Sequence, residues 1–88
     1  MVDDGRPIAW LALEEGTEVV SRDGKEIGKI SQVVGDVTKD IFSGIAFRPG
    51  ILQHPRFAPA DLVDAITTES VRLSITSEEA ERLDDYRA

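Results

Sequence analysis

The segment "SRDGKEIGKISQVVGD", residues 21–36, constrains the fold more than any other stretch of the chain. Its Asp23-Gly24 pair suits a tight type I′ hairpin, in which both central residues take positive φ. Beyond the turn, apolar and polar residues alternate as a half-buried strand requires. The alternation then slips. Ile27 and Ile30 differ by an odd number of positions, so a regular strand cannot place them on one face. One extra residue beside Gly28 restores the phase, which predicts a β-bulge there with sharper local twist. The strand is expected to span residues 26–34 and to end in a turn centred on Gly35 and Asp36.

Other short segments repeat this pattern. Residues 13–16, "LEEG", read as a turn into the short strand of "TEVVS". In "IFSGIAF", residues 41–47, Ile41, Ser43, Ile45 and Phe47 share one face and Phe42, Gly44 and Ala46 the other. Neither face is charged, so cover is expected on both sides. "RFAPADLVDAI" gives a short strand ending at Pro59, a turn at residues 60–62 and another strand near residues 63–66. "VRLSI" points Val71, Leu73 and Ile75 inward. Thr76 and Glu79 have capping-box spacing at the start of a helix whose face carries Ala80, Leu83 and Tyr86. Ile8, Trp10 and Ala12 form either a first strand or an apolar arm. Together these segments predict an all-β fold, a small antiparallel β-barrel of about six strands with a short C-terminal α-helix. Residues 1–12 are its arm, 13–75 the barrel, and 76–88 the helix and tail.

A chain of 88 residues forms one small domain with a thin core. It hides roughly 60–65% of its unfolded surface, so a second subunit covering leftover apolar area would stabilise it. The net charge of −7 repels phosphate, which argues against nucleic-acid and anionic-membrane binding. No apolar run reaches the roughly 20 residues of a membrane span. The acidic start "MVDDGRP" lacks a signal peptide's basic and apolar segments, and there is no cysteine, so a cytoplasmic protein is expected.

The order and spacing of "SRDGKEIGKISQVVGDVTKDIFSGIAF" and "RFAPADLVDAITTESVRL" resemble the PRC-barrel family. That family includes the cytoplasmic domain of the photosynthetic reaction centre H subunit and the C-terminal domain of the ribosome maturation factor RimM. Asp23-Gly24 matches the family's first hairpin turn, and residues 27–30 match its Gly-containing strand. Ala58-Pro59-Ala60, with Val63 and Ile66, resembles its apolar-Pro segment, and Val71 and Leu73 its closing strand. The loop "RPGILQHP" departs from the family pattern, and no RimM-like N-terminal domain is expected. The resemblance implies a docking barrel without shared catalytic residues.

The candidate sites support the same reading. Gly24, Gly28 and Gly35 are each followed by strand, whereas a phosphate loop leads into a helix. His54 is the single histidine, which leaves triads and His-metal sites short of parts. Asp23, Asp36 and Asp40 read as turn residues, without calcium-loop spacing. No cofactor is expected. Phe42 and Ala46, on the outer face of their strand, meet either a second subunit or the C-terminal helix. Ile51 and Leu52 either plug the barrel end or dock a partner, with Arg48 and Arg56 as a cationic rim. The expectation is a non-catalytic interaction module, a homodimer or a docked domain, with Phe42, Ala46, Arg48, Ile51, Leu52 and Arg56 at its interface. The alternative is an accessory factor in ribosome maturation or RNA processing that binds a ribosomal protein.

Overall fold

The computed structural model describes residues 8–50 and 53–86. Six strands follow one another: β1 (Glu18–Val20), β2 (Glu26–Asp36), β3 (Ile41–Arg48), β4 (Arg56–Pro59), β5 (Val63–Ile66) and β6 (Ser70–Leu73). A one-turn helix, α1 (Ser77–Ala80), and two 3-10 turns, Trp10–Ala12 and Ala60–Leu62, complete the set. The strands form one sheet in the order β4-β3-β2-β1-β6-β5.

The expected antiparallel barrel is corrected on two points: the sheet is mixed, and it is not closed. Four ladders are antiparallel, but β1 and β6 run parallel, with Val19 opposite Val71. The cause lies at the 3-10 turn Ala60–Leu62. Through the ladders, β5 continues in the direction of β4 instead of reversing. That missing reversal changes the parity of every later strand. It also prevents closure, because β4 and β5 follow one another head to tail and no ladder joins them among the described residues. Three residues separate these two edge strands, so the sheet curls to bring its ends within a short turn's reach.

The phase slip beside Gly28 is present. Val19 pairs with Gly28 but Val20 with Glu26, leaving Ile27 as the extra residue. Ile30 is thereby buried and Ile27 packs against the same core. The turn before it differs from the expected type I′. Gly24 takes a positive φ of 84°, while Asp23 does not. Gly24 N donates to Ser21 O (3.0 Å) and Ser21 N to Lys25 O (2.8 Å). This is a three-residue loop with glycine in the left-handed position.

The next turn is also displaced. β2 runs through Asp36, and residues 37–40 make the turn. Asp36 Oδ1 accepts from Thr38 N (3.0 Å), Thr38 Oγ1 (2.6 Å) and Lys39 N (3.3 Å). Gly35 lies inside the strand for a packing reason. A Cβ there would sit 2.5 Å from Ile41 O and 2.9 Å from the Trp10 ring.

The core is Val19, Ile30, Ile45, Phe47, Ala58, Val71 and Leu73, closed by Leu13. Each large member stabilises the fold by roughly 1.5–3 kcal/mol through apolar burial. Ser21 is the buried polar residue among those described. Its hydroxyl donates to Asp23 Oδ1 and accepts from Lys25 N (3.2 Å), so it is satisfied.

α1 is shorter than the sequence suggested. The capping box forms, with Glu79 N donating to Thr76 Oγ1 (3.2 Å) and Thr76 N to Glu79 Oε1 (2.9 Å). The helix nevertheless ends at Ala80. Beyond it the chain turns to lie along β4.

Candidate interaction surface

Both edges of the open sheet are touched by the chain's own ends. Along β4, Phe57 N donates to Asp84 O (2.9 Å) and Tyr86 N to Pro55 O (2.8 Å), with Arg56 bridged to Asp85. Arg56 Nη1 donates to Glu81 O and, at 3.5 Å, to Leu83 O. On the other edge, Ile8 N donates to Ile66 O (3.1 Å). Covered edges resist pairing with other chains.

The outer face of β3 is covered within the chain. Gly44, Ile45, Ala46 and Phe47 are all buried within the single chain. The Phe57 ring lies across Gly44, where a Cβ would meet its Cζ at 2.7 Å. Tyr86 stacks on Phe57 with ring centroids 5.8 Å apart. Phe57 of β4 thus lies on this face, and Tyr86, beyond the end of α1, stacks on Phe57.

Of the six residues expected at an interface, the four described ones lie in different surroundings. Ala46 has no exposed surface. Phe42 faces inward, because Val34 pairs with Gly44 while Gly35 pairs with Phe42, making Ser43 a further bulge, beyond the one at Ser31 in the same ladder, that reverses the alternation. Phe42 packs against the core and stacks on Trp10. Arg56 holds the C-terminal segment. Arg48 is exposed, and Ile51 and Leu52 lie outside the described residues. His54 is exposed, and Ile8 and Trp10 form an arm, not a strand.

Exposed apolar surface gathers instead at the β2–β3 hairpin end. Val37 is 68% exposed, Ile41 52% and Leu11 51%. Ile41 pairs with Asp36, beside Val37. Trp10, next to Leu11, reaches the same turn by donating Nε1–H to Asp40 Oδ1 at 3.1 Å. Sequence reasoning missed these residues because Val37 adjoined the turn expected at Gly35 and Asp36, and Ile41 stood on the face opposite Phe42 and Ala46.

Three exposed carboxyls are held below their ordinary values by hydrogen bonds to the charged form. The Ser21 hydroxyl is the main cause at Asp23, assisted by Ser77, and lowers it from 3.8 to about 2. The Thr38 hydroxyl lowers Asp36, and Thr76 lowers Glu79, chiefly through its backbone N–H. Asp23 also ties the first hairpin to α1, accepting from Ser77 N (3.1 Å) and Ser77 Oγ (3.0 Å). These carboxylates do structural work at turns.

Among the described residues, no group of three or more His, Asp or Glu side chains could hold a metal ion. None of the described helices is long and apolar enough to cross a membrane. The chain matches no model of a known protein family, and no curated protein matches it.

Proposed function

We propose that this chain is a non-catalytic protein-interaction module that self-associates through the β2–β3 hairpin end. The observation that carries this reading is the exposure of Val37 and Ile41 at that end, with exposed Leu11 next to the Trp10 that reaches the same turn. The chain's own segments lie along both sheet edges and the outer face of β3 is buried within the chain, so the apolar surface of the hairpin end is what is left to meet a partner. Exposed apolar groups gathered in one place mark interaction sites. A second copy is the simplest occupant, because closed two-fold dimers are the commonest soluble oligomers. The resemblance to PRC-barrel domains, which implies docking without shared catalytic residues, supports the same role.

Sedimentation equilibrium tests the proposal. The wild-type chain is expected to weigh twice 9.6 kDa, and the Val37→Glu/Ile41→Glu variant 9.6 kDa. A dimer untouched by the double substitution rejects this face. A wild type that remains monomeric at high concentration rejects self-association.

A further inference from the structure

At the opposite end of the β2–β3 ladder, Lys29 and Arg48 stand directly across from each other. Both are exposed, while the next pair, Ile30 and Phe47, is buried, so the two cations share the outer face. Like charges in that position repel and destabilise a sheet. The pairing is unexpected in a chain with 17 acidic and 10 basic residues. Acids are near: Glu18 faces Lys29 from β1, and Glu26 lines the adjoining hollow. Neither closes an ion pair, since the one found among the described residues is Arg82–Glu78 at 3.5 Å.

Beside the pair lies a hollow of about 310 Å³, lined by Glu26, Gly28, Lys29, Arg48, Pro49 and Gly50. Pro49 and the two glycines give its lining a mainly apolar character beside the two cations. A guanidinium fits a carboxylate with two parallel hydrogen bonds, and a neighbouring ammonium adds a point charge. We propose that this hollow binds a carboxylate carried on an apolar peptide segment of a protein partner. The proposal rests on the interaction-module reading and gives it a second, polar contact point distinct from the hairpin end. Glu26 at the wall disfavours any second negative charge, so a singly acidic peptide fits better than a polyacidic one.

Titration of the isotope-labelled chain, followed by amide NMR shifts, tests this. The first probe is acetylated, amide-capped Leu-Glu-Leu, and the second is acetylated Leu-Leu with a free C-terminus. Amide-capped Leu-Gln-Leu is the control. Either acidic probe is expected to shift the amides of Gly28, Lys29, Arg48 and Gly50, and the tighter one identifies the carboxylate as side-chain or terminal. The control should leave them unmoved. Lys29→Ala/Arg48→Ala should weaken binding about ten-fold or more, and Glu26→Gln should strengthen it. If the double-alanine variant unfolds, Arg48→Lys serves instead and is expected to weaken binding several-fold, through loss of the two-pronged contact. Equal shifts with the glutamine control, no shift with either acid, or unchanged affinity in the variants would overturn the site. The Val37→Glu/Ile41→Glu chain must still bind, so failure of dimerisation and failure of this site are read separately.

Discussion

The indole of Trp10 stacks on the ring of Phe42, with centroids 5.4 Å apart and planes inclined by 23°. This contact fixes the N-terminal arm to β3, on the inward face that the Ser43 bulge gives Phe42. Trp10 is half-buried, and an offset aromatic pair adds about 0.5–1.5 kcal/mol to its burial. Trp10→Ala is expected to cost about 2 kcal/mol, read from urea unfolding followed by circular dichroism. A loss below measurement error would show that the arm does not contribute to stability. Trp10 is also the chain's one tryptophan, so its fluorescence in the wild type reports arm docking directly.

Gly35→Ala should act on the same contact from the other side. Its new methyl would meet the indole and the Ile41 carbonyl together. Overpacking of this kind costs about 1–3 kcal/mol. The fluorescence maximum should move to longer wavelength as the indole is displaced into water. An unchanged spectrum and unfolding midpoint would contradict the close approach.

Arg56→Met removes a guanidinium while keeping much of the aliphatic stem. The carbonyls of Glu81 and Leu83 lose their donor, and the segment along β4 loosens. Stability should fall by about 1–2 kcal/mol, and the Tyr86 amide should exchange with solvent faster than in the wild type. Retained protection of Tyr86 would show that the backbone pairing alone holds the C-terminal segment.

Stability should fall on acidification in a window set by lowered carboxyls. Asp23 titrates at about 2 when folded and near 3.8 when not. Its contribution is fully present above the unfolded value and is lost as the pH falls through the folded one. Asp36 and Glu79 are shifted in the same direction. The urea midpoint should therefore drop between about pH 4 and pH 2, and Asp23→Asn should flatten part of that slope. A slope unchanged by the substitution would remove Asp23 as a contributor.

The bulge beside Gly28 was legible because a slip in alternation is written in residues close in the sequence, Ile27 and Ile30. The capping box was legible for the same reason. The Ser43 bulge left no such mark, because both faces of "IFSGIAF" are uncharged, and its absence from the sequence reading placed Phe42 outside. Pro59 and the residues after it announce a bend but not its angle, so the continuation of β4 into β5 could not be foreseen. With it went the parallel pairing of β1 and β6. The helix stopped at Ala80 because the chain beyond it pairs with β4, and tertiary pairing of this kind overrides a local helical pattern.

The central claim is that two copies meet at the end of the β2–β3 hairpin. A dilution series followed by amide NMR shifts, from millimolar to micromolar protein, tests place and event together. The account predicts concentration-dependent shifts at Leu11, Val37 and Ile41, with Glu18 and Arg72 on the outer face of β1 and β6 unmoved. Shifts centred on Glu18 and Arg72, or none at any concentration, would contradict it.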